Sequence, residues 1–148
     1  MTHARKSIID ELILAALAIP IFGGRVFEGG AFPSGDDQLP ACRVDISEES
    51  VETFLPDQRQ FRAAIIECVV RALQSDAVPV SQVLDDADEQ LSVAFFASTG
   101  LMALSQQLEW ESMAKEYETT GEKIRGEITI RFRYLYSVDG ANPTTVLP

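Results

Sequence analysis

The sequence is short of the residues most enzymes use to move protons or attack carbonyls. It has one histidine, His3, and two cysteines, Cys42 and Cys68, in 148 residues. His3 stands at the extreme N-terminus, so no Ser–His or Cys–His pair has a base within the body of the chain. No Gly-x-Ser-x-Gly elbow occurs. The two cysteines lie in apolar, strand-like stretches, which suits buried thiols in a reducing compartment; a cross-strand disulfide within one hairpin is the alternative. Positive charge is scarce too. Twelve Lys and Arg against 23 Asp and Glu give a net charge of -11, which opposes tight sequence-independent binding to nucleic acid. Long apolar runs are missing: none reaches the roughly 18–20 residues of a membrane span. Arg5-Lys6 followed by the apolar stretch Leu12–Ile21 has the outline of a signal peptide, but Asp10 and Glu11 interrupt it and no small-residue cleavage site precedes the next strand. The stretch reads as a helix, and the chain as one made in a cytoplasm.

Phosphate and metal sites are equally thin. Gly30-Ala31-Phe32-Pro33-Ser34-Gly35 has the glycine spacing of a phosphate loop, but Asp36-Asp37 follows where Lys and Ser/Thr are needed. Two carboxylates there would repel a phosphate. Asp85, Asp86, Asp88 and Glu89 contain hard-metal ligand types, but a helix spreads them over a wide arc, as on a solvated face. No pair among the acids is singled out for acid–base work. The expectation is no catalytic residue, no cofactor and no metal.

What is present is periodicity. Residues 5–18 carry Ile9, Leu12, Ala16 and then Ile19 at helical spacing, with Ile8, Ile13 and Leu17 widening the apolar side. Pro20 and Gly23-Gly24 end the helix. Arg25–Glu28 is a short strand, and Gly29–Pro40 a long loop. In Ala41–Ser47, Cys42, Val44 and Ile46 alternate with Arg43, Asp45 and Ser47, the pattern of a half-buried strand. Glu48–Asp57 reads as a broad acidic turn. Residues 59–71 form a β-branched run, read as a second long strand pairing back as a hairpin; a helix competes for this run. Val80, Val83, Leu84, Ala87, Leu91, Ala94 and Phe95 make the clearest helical stripe, with Ser81 as its expected N-cap after Pro79. A break and a short helical piece follow over 98–106. Strands at Leu108–Glu118 and Glu122–Val138 meet in a turn at Thr119-Thr120-Gly121. In the last of these, Ile124, Gly126, Ile128, Ile130, Phe132, Tyr134 and Tyr136 share one face. Asp139–Pro148 has two prolines and no periodicity and reads as a flexible tail.

The order α-β-β-β-α-β-β predicts an α+β fold: one mixed, mainly antiparallel sheet of about five strands with two helices on one face, formed by residues 1–138. Most of the rings among Trp110, Tyr117, Phe132, Tyr134 and Tyr136 are expected in the core. An interface role is left open for Tyr134 and Tyr136, near the strand end.

Charge is uneven along the chain. Residues 28–57 hold Glu28, Asp36, Asp37, Asp45, Glu48, Glu49, Glu52 and Asp57 against the single base Arg43, whereas the last long strand carries Lys123, Arg125, Arg131 and Arg133. Such asymmetry suits head-to-tail contact between identical subunits. Asp36, Asp37, Asp45, Glu48 and Glu49, opposed by Arg131 and Arg133 across a subunit boundary and joined by Tyr134 and Tyr136, are the candidate interface residues.

The layout also carries a resemblance. An N-terminal helix leads to Gly-Arg-Val-Phe-Glu-Gly (24–29), then to Leu-Pro-Ala-Cys-Arg-Val-Asp-Ile-Ser (39–47). A long strand and an acidic-faced helix precede the closing Tyr-Glu-Thr-Thr-Gly-Glu-Lys-Ile-Arg-Gly-Glu-Ile-Thr-Ile-Arg-Phe-Arg-Tyr (117–134). Over roughly residues 4–138 this pattern resembles the tail terminator, or minor tail protein U-like, family of long-tailed bacteriophages. The resemblance implies a structural virion protein at the head-proximal end of the tail. It implies a homo-oligomeric ring, a hexamer in that family, that caps the tail tube, ends its polymerisation and offers a surface to the head. The implied partners are further copies of the chain, the tail tube protein and a head-completion or connector protein. DNA would pass through the lumen without specific binding, and no membrane is involved. A small metal- or carboxylate-dependent enzyme, or a host adaptor module, is the competing class.

Overall fold

The computed structural model describes residues 4–30, 32, 39–54, 59–75, 77–104, 107–139 and 142–147, with the side chains of 53, 54, 120 and 142–147 left aside. The chain runs α1 (Ala4–Leu17), a 3-10 turn (Pro20–Phe22), β1 (Val26–Glu28), β2 (Ala41–Phe54), β3 (Arg59–Leu73), α2 (Val80–Ala97), α3 (Thr99–Leu104), β4 (Gln107–Thr120), β5 (Lys123–Asp139) and β6 (Asn142–Leu147). This is the expected α+β fold. One mixed sheet has the order β1-β2-β3-β5-β4, with β6 also on β5. Only β1–β2 is parallel; the other pairings are antiparallel.

Each helix forms where one apolar stripe can be buried on the sheet. In α1 the stripe is Ile8, Leu12 and Ala16, and in α2 it is Val80, Leu84, Ala87, Leu91 and Phe95, all buried. They meet Cys42 and Val44 of β2, Ala64, Ile66, Cys68 and Val70 of β3, and Ile128 to Val138 at every second position of β5 in one core. Phe95 stands edge-on to Phe132, with ring centroids 5.2 Å apart, a favoured aromatic geometry. The start of α2 sits so close to β5 that a Cβ on Gly126 would lie 2.7 Å from Val80 and 2.9 Å from Leu84. That glycine in a row otherwise of β-branched and aromatic residues is a contact requirement, since only a bare Cα leaves room.

Several boundaries differ from the sequence reading, each for a local reason. The run at 59–71 is strand β3, and the competing helix is not formed. The acidic turn expected at Glu48–Asp57 is strand as far as Phe54. Bulges between Ile46 and Glu48 and between Val51 and Thr53 twice shift the register on β3. Each bulge breaks the two-residue period that a sequence reading depends on. Pro79, not Ser81, occupies the N-cap of α2 and makes no side-chain cap. Ser98 does cap α3: its hydroxyl accepts from the Leu101 N–H at 3.1 Å. Residues 142–147, read as part of a tail, form β6 on the end of β5 that β4 leaves free, pairing from Ser137 to Asp139. Backbone hydrogen bonds alone can hold such a strand, so it needs no apolar alternation.

Candidate functional site

The two faces of the sheet differ in cover. On the helix side, β5 is sealed by α2 and α3, and the Tyr134 hydroxyl donates to the Leu101 carbonyl at 2.7 Å. The opposite face carries charge. Arg71 meets Glu127 at 2.7 Å and Arg131 meets Glu67 at 3.2 Å, each pair directly opposed in register; Arg133 reaches Glu52 at 3.0 Å. These pairs are solvent-washed, and each contributes on the order of 0–1 kcal/mol. Beside them, Phe32 lies under the guanidinium groups of Arg43 and Arg71, 5.2 and 4.3 Å from the ring centroid.

The expected interface residues fall into five groups. Asp36 and Asp37 lie outside the described residues. Asp45 and Glu48 are exposed on β2, and Glu48 lines a shallow recess with Ser50, Glu52, Ile65 and Arg133. Arg131 and Arg133 meet acids of their own chain, Glu67 and Glu52, while their side chains stay 44% and 32% exposed. Tyr134 and Tyr136 are wholly buried and leave the candidate interface. They continue the core row of Ile128, Ile130 and Phe132.

Glu49 is an internal hub, half-buried rather than offered to a neighbour. Its carboxylate meets Arg5 Nε at 3.1 Å and Arg62 at 3.0 Å, and accepts a short bond from the Tyr136 hydroxyl. The cluster ties the start of α1 to β2, β3 and β5. Burial, then the bond to Glu49, pushes the Tyr136 phenol well above its ordinary range, with Arg62 opposing.

The thiols are free. In the register Cys42 opposes Val70 and Cys68 opposes Val44, so the two cysteines are not cross-strand partners. Burial pushes Cys42 up to about 12 and Cys68 well above its usual value. Protonated and buried, neither is a ready nucleophile. Among the described residues, no group of three or more His, Cys, Asp or Glu could hold a metal ion. No helix there is long and apolar enough to cross a membrane.

The surface feature that the charge pattern missed is apolar. Among the described residues, eight large hydrophobic side chains are exposed, and seven of them fall in two zones. Leu14 and Leu17 of α1, with Val93 and Phe96 of α2, stand on the outer side of the helix layer; Val93 also lines a groove with Ala15, Ala18, Ile19 and Ala94. Trp110, Met113 and Tyr117 stand 44%, 43% and 51% exposed on β4. They oppose Phe132, Ile130 and Gly126 and therefore point to the helix side, on a strand that overhangs the helices. Val93 and Phe96 lie off the buried stripe of α2, and that was the available signal. On β4 the bulge between Trp110 and Ser112 hid the alternation.

No protein-family model matches the chain, and no curated protein matches it.

Proposed function

We propose that this chain is a structural subunit of a long-tailed bacteriophage, building the ring that closes the tail tube and receives the head. The observation that carries the proposal is the pair of separate uncovered apolar zones on one small chain, one on the helix layer and one on β4. Clustered apolar exposure marks contact surfaces, and two such zones suit a subunit that meets a neighbour within a ring and a different partner along the tail axis. The pattern resemblance to tail terminators supplies the biological setting. Shape and edges suffice for that role, and the buried thiols fit it.

A ring needs a heterologous contact, one surface of a subunit against a different surface of the next. The helix-layer zone is the proposed contribution of the chain to that contact. Disrupting the gene in its phage tests the reading. The expected result is tails of abnormal length with unattached heads; normal virions would reject it.

A further inference from the structure

Strand β4 ends the sheet, and among the described residues no strand pairs with its outer edge. Along its fourteen residues, the backbone N–H and C=O groups that do not pair with β5 point outward. Long edges of this kind are templates for another strand unless proline, lysine or a cover blocks them. Proline is absent from β4, and its single lysine, Lys115, is occupied by the Asp85 carboxylate of α2. The indole of Trp110 is likewise oriented, donating to Asp88 at 3.0 Å. The helix-facing side of the edge is thus a shelf of Trp110, Met113 and Tyr117 backed by acids of α2. Its other side presents Glu109, opposite Arg133, and Glu116, opposite Glu127, both exposed.

We infer that this edge takes an extended segment of a partner protein as an added strand, one in which apolar residues alternate with Lys or Arg. An added strand sends alternate side chains to opposite faces. Apolar residues therefore meet the Trp110–Met113–Tyr117 shelf, while the intervening cations meet Glu109 and Glu116. The same acids disfavour a second copy of this chain. Among its other edges, β2 beyond β1 carries the exposed acids Asp45 and Glu48, and its own β4 is acidic too. Charge at this edge therefore selects against self and for a basic segment. The inference rests on the reading of the chain as an assembly subunit and assigns the β4 zone to a partner other than itself.

Trp110 is the only tryptophan, so its fluorescence reports on this site directly. Full-length protein is titrated with a twelve-residue synthetic peptide alternating valine and lysine. Saturable binding with a blue-shifted emission is expected. Binding should weaken about tenfold or more, as expected when charge register or edge hydrogen bonds are lost, in each of three controls. These are a peptide of the same composition with valines and lysines in blocks, the alternating peptide N-methylated at every second residue, and the exposed-site variant Met113→Lys/Tyr117→Lys. Equal binding of the block or N-methylated peptide would overturn strand addition, as would the absence of any shift. Native mass spectrometry of the variant separates the remaining possibility. A variant that assembles with itself as the wild type does supports a non-self partner, and selective loss of self-assembly would make β4 a subunit contact and overturn the inference. The gene-disruption phenotype is unaffected by any of these outcomes, so failure here is distinguishable from failure of the functional reading.

Discussion

Strands β4 and β5 are two arms of one hairpin, yet beyond Leu108, which is buried opposite Tyr134, their helix-side residues have opposite fates. On β5, Ile128, Ile130, Phe132 and Tyr134 are fully buried; opposite them on β4, Trp110 and Met113 are nearly half exposed, and Lys115 is held by an ion pair. Residue type does not separate the two arms, since both present large apolar groups. Position does. α2 packs its apolar stripe on β5 at Gly126 and reaches β4 through the polar side chains of Asp85 and Asp88, which leave the β4 rings partly open. An apolar side chain in a strand becomes core or contact surface according to what covers it.

The largest effect that probes this contrast is truncation at one paired position. Phe132→Ala should cost about 3–5 kcal/mol, the range for a buried ring packed on another ring. Trp110→Ala, directly opposite, should cost less, about 1–2 kcal/mol, for a part-buried ring and one hydrogen bond. Urea denaturation measures both, and equal losses would mean that β4 is covered as well as β5. Next, Gly126→Val should destabilise by roughly 1–3 kcal/mol, because its side chain drives into Val80 and Leu84. A neutral result would place α2 farther from the sheet.

Alkali should act chiefly through the covered side. The folded-state pKa of Cys42 is raised by burial from its ordinary 9.0 to about 12. An unfolded thiol releases its proton near 9 while the folded one keeps it, so stability holds below pH 9 and falls as pH rises toward 12. The slope is up to about 1.4 kcal/mol per pH unit for each such group, with Cys68 and Tyr136 shifted in the same direction. Urea melts between pH 8 and 11 should show this decline, and Cys42→Val should reduce its slope by one group's share. A slope unchanged by that substitution would contradict the burial. A smaller effect belongs to Tyr134→Phe, which leaves the Leu101 carbonyl without its donor and should cost about 1 kcal/mol, read from the thermal midpoint.

Much of the covered side was legible in the sequence. The row from Ile124 to Tyr136 alternates without interruption, and the stripe from Val80 to Phe95 keeps helical spacing, so element type, order and face followed. What escaped was set by features with no period. The bulges in β2 and β4 moved Glu49 to the helix side and disguised the β4 shelf. β6 is held by the backbone. The candidate interface read from charge fared unevenly, because opposite charges find partners within the chain when the register allows. Arg131 and Glu67 are 64 residues apart in sequence and opposed in the sheet, and nothing local announces that.

The most direct test of β4 as an assembly surface is amide hydrogen exchange, compared between the isolated chain and the chain within assembled tails. In the isolated chain the outward-facing amides of β4 should exchange much faster than those of β5. On assembly the β4 amides between Leu108 and Tyr117 should become protected while β5 changes little. Exchange at β4 that stays equally fast in both states would contradict the account.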